Sequence, residues 1–415
     1  MRLPRLPLLL AGICLYALSA SVLASDADSA TTTDSSGAIT LQEAIDRALT
    51  QNPMLSAARN EARAADGLIT QAGVIPNPSL DVNVEDQRRA TRTTTTMLNM
   101  PIELGGKRGA RQKAARLAGD VSRLDLQATR SSLRASVLAA FFEVAIAQEN
   151  VRVARETKDI SQSALRIATA RVESGKAAPL EKTRAEVELS NAGLAEQAAL
   201  NTLGNARRAL ALNWGESQPD FKRVRASLED LPPRPNLDEL RASLDKSPLL
   251  ESGRTSLELS RAELEVEKSK RYPDIIVGVG VARDNEMGRN RGQFGISIPL
   301  PLFDRNQGNV YAASMRSYKA QDVYRDLKAR LNSSLLQATS KYDLASTSAQ
   351  QYRNSVLPGA EKAYEAARKG FAAGKMNYLE VLDAQRTLTQ GNISYLSVLS
   401  EAFLARAEID RLIGY

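Results

Sequence analysis

The stretch 106–174 contains no proline, and inside it only Gly109 and Gly119, both near its start, disturb a helix. As one helix it would reach about 100 Å at roughly 1.5 Å per residue. Its apolar residues form two stripes that step by threes and fours. One runs through Leu117, Val121, Leu124, Leu138 and Phe142, the other through Leu133, Val137, Val144 and Val151. Two stripes require neighbours on both sides, as in the wall of a ring of helices, whereas a two-stranded coiled coil needs one. A long stalk helix is the competing reading of this segment alone.

The pattern recurs. The stretch 306–373 is expected to form one uninterrupted helix of similar length, and the two long helices end in matching signals, Ser174-Gly175-Lys176 and Ala373-Gly374-Lys375. Aligning Gly175 with Gly374 sets Leu180 on Leu379, Glu181 on Glu380 and Arg207 on Arg406 at one constant offset. Thr40-Leu41-Gln42-Glu43 and Asn236-Leu237-Asp238-Glu239 both read as capping boxes opening a helix, followed by Pro53 and Pro248. The chain therefore reads as an internal tandem duplication, with a first repeat over 39–215, a proline-rich linker over 216–235 and a second repeat over 236–415.

Each repeat also carries one strand hairpin, about 79–102 and about 273–302. In the first, Leu80, Val82 and Val84 alternate with Asp81, Asn83 and Glu85. In the second, Ile275, Val277 and Val279 precede a turn expected over 284–293, after which Phe294, Ile296, Ile298 and Leu300 alternate with smaller residues. Gly278 and Gly280 do not make a nucleotide loop, because Arg283 stands where a third glycine is needed and no helix opens there. Strands of about ten residues suit a tilted bilayer crossing. Four strands cannot close a barrel, so membrane-embedded hairpins require more than one copy: two give eight strands, three give twelve and leave a lumen. A soluble hairpin capping a helical bundle is the plainer alternative.

The shorter legs, 179–212, 248–271, 378–412 and 53–72, complete the helical part. Their lengths suggest that 179–212 stacks end to end on 248–271, and 378–412 on 53–72, giving four columns per chain. The linker is expected to lie beside the two capped helices as a belt partway along the columns.

Residues 1–24 have two arginines, an apolar run and small residues before Ser25, the pattern of an export signal. Cys14 lies inside that run behind the bulky Ile13, so no lipid anchor is expected. Residues 25–38 are polar, without apolar periodicity, and read as a disordered mature terminus. Loss of the signal removes the one cysteine, and the chain has no histidine, which argues against zinc sites, catalytic triads and thiol nucleophiles. No cofactor and no metal site are expected. The formal charge of +7 falls to about +5 when Arg2 and Arg5 leave, and its spread over helices argues against nucleic-acid binding.

The run Gly374-Lys375-Met376-Asn377-Tyr378-Leu379-Glu380-Val381-Leu382-Asp383-Ala384-Gln385 resembles the helical-tip motif of TolC-type outer-membrane efflux proteins, and the resemblance extends over the whole mature chain. Around Ile102-Glu103-Leu104-Gly105-Gly106 and Ile298-Pro299-Leu300-Pro301-Leu302 the chain looks like the branch that serves heavy-metal exporters of the cobalt-zinc-cadmium type. The resemblance implies a mainly α fold with a small membrane β part. A homotrimer would form a 12-stranded β-barrel in the outer membrane, four strands per protomer, continued by a long α-helical barrel through the periplasm. It also implies a tripartite efflux system with a periplasmic adaptor and an inner-membrane pump of the resistance-nodulation-division class.

On that reading Gly175, Lys176, Gly374 and Lys375 form the hairpin tips that meet the adaptor, and Glu380 and Asp383 ring the periplasmic aperture. Glu380 has a competing role as the second member of a capping box with Asn377. Leu80, Val82, Val84, Ile275, Val277, Val279, Ile296 and Ile298 would face lipid. Phe371 and Met376 depart from the family's tyrosine and arginine latch, so tip closure must be held differently. Arg368, Lys369 and Lys375 could pair with Glu173 or Glu181 across the tips. A passive exit duct for divalent metal cations is the leading reading, a multidrug or type I secretion duct the alternative. A trimeric adhesin stalk, from a different class, predicts one apolar seam per helix and strands gathered at one end of the chain.

Overall fold

A computed structural model of the chain describes residues 37–228, 231 and 233–415. The expected export signal lies outside the described residues. In chain order the elements are β1 (Ala38–Ile39), α1 (Leu41–Gln51), α2 (Pro53–Ala72), β2 (Ser79–Glu85), β3 (Thr93–Ile102), α3 (Lys107–Glu173), α4 (Pro179–Leu212) and β4 (Arg223–Val224). They continue as α5 (Leu237–Leu244), α6 (Pro248–Ser269), β5 (Ile275–Asp284), β6 (Arg289–Ser297), α7 (Gln307–Gln351), α8 (Leu357–Ala372) and α9 (Tyr378–Ile413).

The long helix α3 is the spine. It packs against α2 and α6 toward the strand end and against α4 and α9 toward the tips, so both of its apolar stripes find partners. Val137, Val144 and Val151 of the second stripe are buried, whereas Leu117, Val121, Leu124, Leu138 and Phe142 of the first are half-buried, Phe142 against Phe403 of α9. The outer columns are α2 with α4 on one side and α7 with α8 on the other.

The end-to-end stacking differs from the length-based expectation. Pro53 at the start of α2 lies against Gly215 beyond α4, and the Asn52 amide donates to the Asn213 carbonyl at 2.8 Å. Pro248 at the start of α6 likewise abuts Gly414 beyond α9. Thus α4 continues into α2, and α9 into α6. Both legs of a repeat flank the same long helix, so they meet on one column within that repeat, and length alone could not reveal this.

The second long helix is not uninterrupted. Pro358 stands within it, and residues Tyr352–Val356 form a π turn in which the Leu357 N–H donates to the Tyr352 carbonyl. A proline has no N–H to donate and crowds the preceding turn, and the π turn lies immediately before it.

At mid-length a belt crosses the columns. Thr40 and Glu43 form the expected capping box, and β1 pairs in parallel with β4, inside the linker. Ala38, expected in the disordered terminus, therefore belongs to a strand. Phe221, Val224 and Trp214 join Ile39, Ile45, Phe141 and Leu210 in one buried cluster. Arg234 spans from the linker to Asp343 at 2.5 Å, and that ion pair holds the Asp343 carboxyl below its usual range.

Strands β2-β3-β5-β6 form one antiparallel sheet in that order, leaving β2 and β6 as open edges. The second hairpin turn is tighter than expected: β5 runs to Asp284, which pairs with Arg289, so β6 includes 289–293 and ends at Ser297, before Ile298. Backbone pairing continues through the polar stretch that breaks the apolar alternation, and Pro299, without an N–H, cannot extend it.

Candidate functional site

The sheet register gathers the expected strand residues onto one face. Leu80 sits opposite Leu98, Leu98 opposite Val279, and Val279 opposite Phe294. Met100, Val277 and Ile296 form the next row, with Ile275 opposite Ile102 beside it. Val82 and Val84 continue the face on β2 toward the turns, opposite Thr96 and Thr94. Leu80, Val82, Phe294 and Ile296 are each more than half exposed. A contiguous exposed apolar patch of this kind marks a protein–protein, ligand or membrane interaction surface.

The opposite face is mostly polar or small, with Met97 and Ile276 its larger apolar residues. Asp81, Asn83 and Glu85 lie there on β2, and Asn99 donates to Asp81. Gly280 is required on this face, because a Cβ there would stand 2.3 Å from the Thr96 carbonyl oxygen and 2.7 Å from Met97. The sheet thus has one mostly polar side and one apolar side.

At the far end of the helices, two hairpin tips share one backbone solution. Gly175 and Gly374 both have φ of 72°, a conformation that costs glycine little. The Lys176 N–H donates to the Arg171 carbonyl and the Lys375 N–H to the Gly370 carbonyl, each at 2.8 Å. These six-to-one bonds close the helices as Schellman motifs. Lys176 and Lys375 are exposed at the turns.

Glu380 and Asp383 are exposed on the first turns of α9. The Asn377 N–H donates to the Glu380 carboxylate at 2.8 Å and the Glu380 N–H to the Asn377 side chain at 3.1 Å, so Glu380 completes a capping box. Its counterpart Glu181 follows Ala178, which offers no cap, and one of its carboxylate oxygens is buried without a partner. One turn beyond Asp383, Arg386 bridges to Glu188 of α4 at 2.9 Å; that hydrogen bond, with a smaller contribution from Asp383, holds the guanidinium more firmly protonated.

The link between the tips was not visible in the sequence. Arg368 and Lys369 are taken by Glu365 on their own helix rather than by Glu173 or Glu181, and the Lys369 hydrogen bond is the main cause that lowers the Glu365 carboxyl. Arg171 makes the connection instead. Its guanidinium lies 4.7 Å from the Phe371 ring centre and donates to the Phe371 carbonyl at 3.2 Å. Phe371 is buried against Tyr378, with ring centres 6.0 Å apart, in a cluster with Ala168, Ala185 and Leu382. An arginine beside the carbonyl end of a helix is also favoured by the helix dipole. The signal available was Arg171 in the last turn of α3, one turn before a glycine cap.

Among the described residues no cluster of three or more potential metal ligands occurs, and no helix is long and apolar enough to cross a membrane. The described residues place an exposed apolar sheet face at one end and exposed lysines and carboxylates at the other.

The profile described as "Outer membrane efflux protein" matches residues 44–216 and again 240–415. The chain is 44% identical to the cobalt-zinc-cadmium resistance protein CzcC of Cupriavidus metallidurans, over 92% of this chain and 91% of that protein. It is 28% identical to the nickel-cobalt-cadmium resistance protein NccC of Alcaligenes xylosoxydans xylosoxydans, over 73% and 69% of the two chains. The solved structure of CusC superposes with a TM-score of 0.77 at 18% identity, covering 90% of this chain and 91% of that one. The outer membrane protein VceC of Vibrio cholerae gives 0.74 at 18% identity, with 90% and 96% covered. An efflux channel of this fold spans the outer membrane and reaches into the periplasm, and it conducts rather than catalyses. With the family profile covering both halves, the chain belongs to the outer membrane efflux protein family.

Proposed function

We propose that three copies of the chain assemble into the exit duct of a tripartite efflux system whose cargo is divalent heavy-metal cations. The carrying observation is the four-stranded sheet with an apolar face and two unpaired edges, β2 and β6. Unpaired strand edges in lipid leave backbone groups without partners. Pairing β6 of one copy with β2 of the next removes them, and three copies give a twelve-stranded barrel with a lumen. Exposed apolar residues along the outer columns, Leu180, Val187 and Leu194 on α4 and Leu344 on α7, support lateral packing of copies. The separate family matches to 44–216 and 240–415 and the shared tip geometry support a duplication.

On this reading Leu80, Val82, Val84, Ile275, Val277, Val279 and Ile296 face lipid, with Ile298 just beyond β6. Gly175, Lys176, Gly374 and Lys375 form the end that meets a periplasmic adaptor, itself joined to an inner-membrane pump. The cargo follows from the resemblance to CzcC and NccC, both named for resistance to metals. In detergent the mature protein is expected as a trimer, and a stable folded monomer would overturn the assembly. Deleting the gene is expected to lower growth on cobalt, zinc or cadmium salts; sensitivity to drugs alone would move the cargo to the multidrug class.

Six carboxylates from Glu380 and Asp383 would ring the duct axis and favour cations. In planar bilayers Asp383→Asn is expected to lower cation over anion selectivity and weaken block by divalent cations added from the tip side. The pair Glu380→Gln with Asp383→Asn is expected to do so more strongly, with the trimer intact because both groups are exposed. Wild-type selectivity and block in the double variant would leave Glu380 as a helix cap only.

A further inference from the structure

We infer that the turn end of the strand sheet is a docking surface for phosphate-bearing lipid headgroups, centred on Arg89 and Arg283. This rests on the membrane placement of the sheet proposed above. The two hairpin turns lie together: the Asn285 N–H donates to the Arg92 carbonyl at 3.1 Å, and its side-chain amide to the Arg89 carbonyl at 3.0 Å. Residues 86–92 and 283–291 hold six arginines against three carboxylates.

Two of those carboxylates are engaged within the turns. Asp86 accepts from the Arg88 N–H at 3.0 Å and the Thr91 hydroxyl at 2.5 Å, with the Arg88 guanidinium 3.6 Å away. Asp284 accepts from Arg291 and from the Met287 N–H, each at 3.0 Å. Arg89 and Arg283 have no carboxylate within ion-pair distance among the described residues, and both are exposed.

Position makes this charge specific. Side chains alternate along a strand, so Arg283 lies on the apolar face two residues beyond Val281, about 6.6 Å at roughly 3.3 Å per residue. The register sets it between Thr94 and Asn290, with Thr96, Val281 and Gly292 in the row below. A cation directly above an apolar band stands at headgroup depth when that band is in hydrocarbon. At the opposite end of the sheet Lys107 is held by Asp274 at 2.7 Å and Arg111 by Glu103, while Arg108 and Arg305 donate to the Gly73 and Pro301 carbonyls. On the proposed placement the turn-end arginines face the outer leaflet, where a guanidinium binds phosphate with two parallel hydrogen bonds.

The test titrates detergent-solubilised wild-type protein and the Arg89→Gln/Arg283→Gln variant with fluorescent bisphosphorylated lipid A. Each arginine is expected to contribute about fivefold, so the double variant binds roughly 25-fold more weakly. Dephosphorylated lipid A is expected to bind wild type as weakly as the variant binds the phosphorylated form, and inorganic phosphate at equal phosphorus is expected not to displace it. Equal affinity of variant and wild type overturns the proposal, as does displacement by inorganic phosphate or by a soluble acidic polypeptide at equal charge. The oligomer and bilayer conductance of the variant are measured alongside. If it does not assemble, the same question is put to wild type, whose affinity must fall as salt rises; an affinity indifferent to salt overturns the proposal. Wild-type protein that forms no channel in any bilayer removes the membrane placement itself, an outcome separate from a channel without lipid A preference.

Discussion

Arginine at both Val277 and Val279 is expected to abolish assembly of the strand part. Val277 lies between Met100 and Ile296, and Val279 between Leu98 and Phe294, in the middle of the apolar face. An arginine at mid-membrane on the lipid side of a barrel costs about 2–4 kcal/mol. Two on one strand therefore cost roughly 4–8 kcal/mol per chain, against a net stability of about 5–15 kcal/mol for a typical folded protein. The measurement is the yield of detergent-resistant oligomer from the outer membrane. Asn83→Arg on the polar face is the control and is expected to assemble. Wild-type yield from the double valine variant would mean that this face never meets lipid.

Phe141→Ala is expected to lower the unfolding free energy of the helical body by about 3–5 kcal/mol, the usual cost of emptying a buried aromatic site. Phe141 is 1% exposed within the belt cluster, among residues of α1, α3, α4 and the linker. Its ring meets Phe142 edge-on at 5.7 Å, and Phe142 stacks on Phe403 of α9 at 3.6 Å. The truncation therefore opens a cavity where the belt, α3 and the second repeat converge. Denaturant melting of helical circular dichroism checks this. An unchanged midpoint would place the stability of the body elsewhere, in the tips or the sheet.

What could be read from the sequence was what local chemistry dictates. Proline-free length and two stripes gave α3, the box Thr40-x-x-Glu43 gave the start of α1, and the matching Gly-Lys signals after the long helices gave both tips. Alternation gave one face of the sheet, because a register with period two either buries or exposes the whole apolar set. What escaped depends on groups distant in the chain. The stacking of α4 on α2 is fixed by Asn52 reaching Asn213, a contact 161 residues long. The Arg171–Phe371 link spans 200 residues, and a basic residue in the last turn of α3 does not say which distant carbonyl it meets. Strand β6 began earlier than expected because backbone hydrogen bonds need no apolar side chains. The break near Pro358 was legible, and reading 306–373 as one helix overlooked it.

The π turn at Tyr352–Val356 occurs in the second long helix, whereas α3 runs as unbroken α-helix from Lys107 to Glu173. One turn that closes five residues apart instead of four rotates everything beyond it relative to an ideal helix by about 100°, the angle of a single residue. The two halves of a protomer thus approach the tip end with different angular phase, although their caps are alike. The ring of three chains proposed above would have threefold symmetry there and only an imperfect sixfold one. Six identical adaptor molecules closing around that end would have to occupy two kinds of seat in alternation, while three would find a single kind repeated.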